Sequence, residues 1–182
     1  MNNLLLTRFV GRIFPCVEQH EQGGYYPIYK PVTLKLLQKH LDGDLTIGTY
    51  VLDADSKTAF GVIDIDIGVG GASRSFAEYI YTLFPERERV LEFSGRKGYH
   101  IWVFFDKRLP GKYIKEYLKT RLRLYGLSNV EVFPKQASLK GLRFGNLVKL
   151  PCGIHQVSKK RSVILKWESP SLIGKTANTN NE

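Results

Sequence analysis

Cysteine is nearly absent: 182 residues hold only Cys16 and Cys152, with a single methionine. Two cysteines cannot build a disulfide framework, and Leu4-Leu5-Leu6 is too short for the apolar core of a secretory signal, so a cytoplasmic setting is expected. No apolar run approaches the roughly eighteen residues of a membrane span, so no membrane partner is expected. Acids are scarce in one stretch. From Lys107 to Lys166, fifteen lysines and arginines face only Glu116 and Glu131, a net +13, which leaves the remainder net acidic in a chain of formal charge +10. A polyanionic partner suits that balance, although other basic proteins share it.

What is present can build a core. At 43% hydrophobic residues the chain suits one large domain or two small lobes. Apolar residues mixed with Arg8 and Arg12 predict a helix over Leu4 to Val17, broken by Gly23-Gly24-Tyr25-Tyr26-Pro27. Thr33 caps a second helix to His40, with Leu34, Leu36, Leu37 and Leu41 as its buried stripe. Thr46 to Leu52 and Ala59 to Ile67 read as strands joined by a polar turn, and Gly68 to Gly71 as a flexible connection. A helix over Phe76 to Phe84 follows. Strands Arg89 to Ser94 and His100 to Phe105 close around a glycine turn and would set Ser94 across from His100. Gly111 to Tyr125 is a basic amphipathic helix with Ile114, Leu118 and Leu122 on one face. Asn129 to Phe133, Gly145 to Leu150 and Ser162 to Trp167 are further strands, and Thr176 to Glu182 is expected to be a disordered tail.

Asp64-Ile65-Asp66 is the most informative tripeptide. On a strand its two carboxylates leave one face, while Ile63, Ile65 and Ile67 pack the other. Phe60 and Val62 make both faces look buried, and two acids there call for compensation. A hard cation bound by oxygens, Mg²⁺ or Mn²⁺, is the simplest form of it. A half-exposed strand with its polar face in water would also place acids there. Cys16-x3-His20 and Cys152-x2-His155 lack a compact finger spacing, so no zinc is expected.

The turn Ser94-Gly95-Arg96-Lys97-Gly98-Tyr99-His100 combines a hydroxyl, two glycines that admit close backbone approach, two cations and a histidine, a set suited to a triphosphate. A hairpin turn with surface charges, and a satisfied structural histidine, are the plainer readings. Lys149 and His155 bracket Leu150-Pro151-Cys152-Gly153-Ile154 and could face the same polyphosphate. Glu131 is an acid in a basic region; with the aspartates it would complete a cluster for displacement at phosphorus, and alone it reads as an exposed strand glutamate. Lys112, Lys115, Lys119, Arg121 and Arg123 on the basic helix, with Lys135 and Arg143 beyond it, could follow a nucleic-acid backbone, or form a solvated face.

Taken in order, Val62-Ile63-Asp64-Ile65-Asp66, Ser94 to Trp102, and Val130-Glu131-Val132-Phe133-Pro134-Lys135-Gln136 resemble the three catalytic motifs of the archaeo-eukaryotic primase, or primase-polymerase, superfamily. Gly24-Tyr25-Tyr26-Pro27, Thr46 to Tyr50, Phe144-Gly145-Asn146-Leu147 and Leu150-Pro151-x-Gly153-x-His155 look like the branch of CRISPR-associated primase-polymerases and conflict-system primases. The resemblance runs from about Phe9 to Lys166. It implies an α+β, two-lobed catalytic core, an RRM-like sheet with an N-terminal α/β lobe, within one domain over 1–175 and lobes of about 1–58 and 59–175.

By the same resemblance, Asp64, Asp66 and Glu131 would hold two Mg²⁺ or Mn²⁺ ions and His100 would contact phosphate. Ser94, Gly95, Arg96, Lys97, Gly98, Lys149 and His155 would bind the nucleotide, with Tyr25 or Tyr26 near the sugar or base. The third motif more often carries aspartate, and Glu131 departs from that. The implied activity is a template-directed primase and DNA polymerase. Its partners would be single-stranded DNA or a primed template, NTP or dNTP, and a helicase or CRISPR adaptation proteins in DNA replication or defence. A metal-dependent nuclease and a non-catalytic single-strand-binding replication module are the competing readings.

Overall fold

The computed structural model describes residues 1–67 and 70–170, so Gly68, Val69 and the tail Thr176 to Glu182 lie outside the described residues. Helical structure opens the chain but does not reach Val17: α1 (Asn2–Leu4) runs into a π-helical turn, Leu5–Phe9. The chain then turns extended. A Cβ on Gly11 would lie 2.6 Å from the Tyr50 and Val51 carbonyl oxygens, and Pro15 cannot continue a helix. The expected long helix is thus replaced by β1 (Cys16–Gln19), which pairs with β2 (Tyr25–Ile28) across the predicted breaker.

α2 (Leu34–Asp42) has the expected cap, with the Leu36 amide donating to the Thr33 hydroxyl at 3.2 Å, and Gly43 ends it at φ +96°. Its buried side chains are Leu37 and His40; Leu34 is exposed, against expectation, because the helix turns that flank outward. Next come β3 (Ile47–Tyr50), β4 (Lys57–Ile65), α3 (Gly71–Thr82), β5 (Arg89–Phe93), β6 (Tyr99–Pro110), α4 (Gly111–Leu124), β7 (Glu131–Phe133), β8 (Leu147–Lys149) and β9 (Val163–Glu168). α3 starts before the predicted Phe76 because its first turn is polar and exposed, so no apolar period marks it.

Two antiparallel sheets result, ordered β2-β1-β3-β8 and β7-β4-β6-β5-β9. β3 and β4 are neighbours in sequence but belong to different sheets. The first sheet takes its last strand from residues 147–149, so a division of the chain at residue 58 separates strands of one sheet.

Alternation along β4 and β6 decides what each face of the second sheet meets. Ile63, Ile65, Ile101, Val103 and Leu91 pack with Ala77 and Ile80 of α3 and Ile114 and Leu118 of α4. Phe60, Val62, Trp102, Phe104 and Val90 form the opposite face and pack under Phe9, Leu37, Ile47 and Val148. Phe9 is fully buried and meets Trp102, Phe104 and Trp167 edge-on, with centroids 5.0, 5.2 and 5.7 Å away. This second face changes character at its rim. Phe60 and Val62 lead to Asp64, Phe104 and Trp102 to His100, and Val90 to Glu92.

Candidate active site

Register brings those rim residues into one row. Asp64 lies opposite His100 on β6 and opposite Glu131 on β7, while His100 lies opposite Glu92 on β5. Directly opposed residues share a face, so Glu131, Asp64, His100 and Glu92 cross four adjacent strands on the side away from α3 and α4. The hairpin register differs from expectation. Ser94 does not face His100; its amide donates to the Gly98 carbonyl at 2.9 Å, which closes the turn and leaves Glu92 across from the histidine.

Glu92 is the residue that motif reading missed. It has no exposed surface, yet His100 Nδ1 stands 3.1 Å from its Oε2 and the Trp102 indole N–H donates to the same oxygen at 2.8 Å. Its Oε1 accepts from Lys149 Nζ at 3.1 Å and from the Ser162 hydroxyl at 2.5 Å. Burial would raise this carboxyl, but Lys149 and then His100 outweigh burial and hold it well below the usual carboxylate range. Burial alone would lower His100; Glu92 and then Asp64 lift it above an ordinary histidine. With Nδ1 engaged by Glu92, the other ring nitrogen, Nε2, lies 3.7 Å from Asp64 Oδ1. One signal could have found Glu92: it is an acid between Leu91 and Phe93 in an apolar strand, as Asp64 is between Ile63 and Ile65, though without a second acid two residues on.

The row opens into a cleft of about 330 Å³. Asp64, Asp66, His100, Ser94, Arg96, Lys97 and Gly98 line it from the second sheet, and Lys149, Tyr25 and His155 close it from the other side. All but Gly95 of the residues expected at a nucleotide thus meet there. Gly95 is buried instead, at φ +88°, against the 155–162 loop, where its carbonyl accepts from the Ser158 hydroxyl at 2.5 Å. Gly98 serves close approach within the protein: a Cβ there would lie 1.8 Å from the Ile65 carbonyl oxygen. The two glycines seat the turn between the end of β4 and that loop, which sets Arg96 and Lys97 beside the aspartates.

β4 ends at Ile65, so Asp66 is exposed, and Ile67, expected to pack with Ile63 and Ile65, is 59% exposed. Asp64 is partly buried. Burial raises its carboxyl, His100 pulls it down, and Glu131 and Asp66 push it further up. Glu131 is exposed and ion-paired with Lys135 at 2.5 Å. It lines a second cleft of about 460 Å³ that shares Asp64 and Asp66 with the first and is walled by Phe76, Leu127 and Val130. Among the described residues, no three His, Cys, Asp or Glu side chains converge on one point. The all-oxygen donor chemistry nonetheless fits a hard divalent ion. A bound cation would offset the burial and the repulsion from Glu131 and Asp66 that raise Asp64.

His155 sits beside the Gln19 amide, Nε2 to Nε2 at 3.0 Å, and burial, then Lys149 and Arg96, bring it down to about 4, so it faces the cleft neutral. Tyr25 keeps its proton more firmly than usual through burial and the nearby Glu92 and Asp64. The basic helix takes no part in the cleft. α4 packs Ile114, Leu118 and Leu122 onto the opposite face, none of Lys112, Lys115, Lys119, Arg121 and Arg123 lines the cleft, and Lys115 donates to the Lys135 carbonyl beside Glu131. Arg121 is also paired with Glu86. Of the other two cations, Lys135 reaches Glu131 and Arg143 lies just before β8.

Residues 15–173 match the family described as the TOTE conflict system archaeo-eukaryotic primase domain. No curated protein matches the sequence. Among the described residues no helix is long and apolar enough to cross a membrane.

Proposed function

The chain belongs to the archaeo-eukaryotic primase family, in its TOTE conflict-system branch, and from that premise we propose that it is a template-directed primase-polymerase that joins nucleotides at the Asp64/His100 cleft. One observation carries the reading: acids and cations line a single cleft, Arg96 and Lys97 beside Asp64 and Asp66 and Lys149 on the facing wall, with the Ser94–Gly98 turn held against the end of β4 by Gly98. A nucleoside triphosphate carries its charge where Arg96, Lys97 and Lys149 stand, and a nuclease cleaving a diester has less need of such a turn. Kinship with RRM domains is part of the proposal. The path β4-α3-β5-β6-α4-β7 with strand order β7-β4-β6-β5, two helices on one face, supports it.

Asp64 and Asp66, with Glu131, would hold Mg²⁺ or Mn²⁺, which when bound lowers the pKa of an attacking hydroxyl and neutralises phosphate charge. The chain's own residues do the rest. Arg96 and Lys97 attract and orient the polyphosphate. His100, whose hold on its proton Glu92 and Asp64 strengthen, would offer Nε2–H to a phosphate oxygen and balance charge as pyrophosphate leaves. Tyr25 stands on the wall across from the turn, where a sugar or base would lie. The second cleft shares the aspartates, and its position suits the strand that supplies the hydroxyl. Incubation with single-stranded template, labelled nucleotides and Mn²⁺ tests the reading. Template-copied products longer than a dinucleotide are expected, and their absence with intact template binding would overturn it.

A further inference from the structure

Outside the cleft, one surface has an unusual composition. Phe144 stacks on Tyr50 with ring centroids 4.8 Å apart and planes 18° off parallel. Two guanidiniums rest on the same ring, Arg12 at 5.0 Å and Arg143 at 5.3 Å, and Arg143 also lies 5.0 Å from the Tyr29 centroid. Its outer members face water: Tyr29 is 53% and the adjoining Phe14 51% exposed and Arg143 is exposed, while Arg12 and Phe144 are half-buried over the buried Tyr50. Arg12 donates to the Phe14 and Arg143 carbonyls at 2.8 and 3.4 Å, which ties the segments together. Among the described residues no ion pair includes Arg12 or Arg143, whereas Arg108 is bound to Asp53 and Arg121 to Glu86. Their charge is set on rings and left open to an anion.

We propose that Arg12, Tyr29, Arg143 and Phe144 form a stacking platform that binds single-stranded nucleic acid and leads it to the cleft. An exposed ring, Tyr29, and a half-buried one, Phe144, interleaved with guanidiniums free of ion pairs match a strand that offers a base face and a phosphate at every step. The platform joins the cleft through β8. Leu147, Val148 and Lys149 line the cleft, Leu147 pairs with Tyr50, on which Phe144 stacks, and Phe144 precedes Leu147 by three residues, about 10 Å of chain. Delivery to the cleft rests on the polymerase reading; binding does not.

Fluorescence anisotropy of the full chain with a labelled oligodeoxythymidine of about twelve nucleotides tests it, since such grooves hold about 4–16. Tyr29→Ala and Arg143→Ala are expected to weaken binding at least about fivefold each at fixed salt. Tyr29→Phe, which keeps the ring, should bind within about twofold of the parent. Because both side chains are at the surface, melting temperatures close to the parent's are expected; should an alanine variant unfold, Tyr29→Ser and Arg143→Gln read the same loss. Parent-like binding by the alanine variants overturns the platform, as does a loss confined to Lys119→Ala and Arg123→Ala on α4. Oligonucleotide binding that depends on Tyr29 and Arg143 without any template copying keeps the platform and removes the polymerase reading; template copying with parent-like binding by both variants does the reverse.

Discussion

His100 Nδ1 lies 3.1 Å from Oε2 of Glu92, a carboxylate with no exposed surface whose other oxygen holds Lys149. The pair links a cleft wall to the core. Glu92→Gln leaves Lys149, 4% exposed, without a counter-charge. Breaking a buried ion pair from one side costs about 3–5 kcal/mol, and urea denaturation should show a loss of that order. Unchanged stability would mean that Lys149 is not held by Glu92.

Replacing both Asp64 and Asp66 with alanine should lower nucleotide joining by roughly a hundredfold or more. Oligonucleotide binding should persist or strengthen, because two negative charges leave the cleft. Primer-extension and binding assays on one preparation measure both, and retained synthesis would refute the acid assignment.

His100→Gln should chiefly weaken nucleotide affinity, by about tenfold, the value of one charge-assisted hydrogen bond. Calorimetric titration with a nonhydrolysable triphosphate measures it. An unaltered affinity would count against a phosphate role.

Gly98→Ala places a methyl where the Ile65 carbonyl oxygen stands, 1.8 Å away, so the turn must move off the end of β4. We expect about 1–3 kcal/mol of lost stability together with weaker triphosphate binding, since Arg96 and Lys97 move with the turn. Loss of stability with full affinity would show that the turn does not position those cations.

Acid should destabilise the fold through His40. This ring is buried, accepts the Ile47 amide at Nδ1 at 3.2 Å, and so donates from Nε2 to the Pro151 carbonyl at 3.0 Å. Burial is the main reason its pKa falls to about 4. Because the folded value lies below the unfolded one of about 6.5, its contribution is complete above 6.5 and is lost as pH falls from 6.5 toward 4. The loss over that window is roughly 3 kcal/mol. NMR titration of the His40 ring against urea midpoints checks the value and the sign, and a ring titrating near 6.5 would refute both.

Much of this was legible in local pattern. Alternation around Asp64 and the Thr33 cap predicted a strand and a helix start that the structure contains, because side-chain period and capping are decided within a few residues. Cys16 and Val17 were read as the end of a helix because apolar residues mixed with Arg8 and Arg12 carry a helical period into a segment whose extended shape comes from pairing with Tyr25–Ile28 and Ile47–Gly48. Ser94 was set across from His100 because a turn's composition does not state its register. Glu92 went unnoticed because its importance lies in Lys149 and Ser162, 57 and 70 residues away.

The sequence by itself determined the chemical inventory: two aspartates two residues apart, a cationic glycine turn, a basic second half, and the motif order that marks the primase family. Tertiary structure alone decided which of these act together. Sheet pairing put Glu131, Asp64, His100 and Glu92 in one row, and the packing of Ile114, Leu118 and Leu122 turned the basic helix α4 to the opposite face. The physical reason is one of range. Side-chain alternation and capping are set by neighbours in the chain, whereas the choice of face and partner depends on which distant apolar surfaces can be buried together.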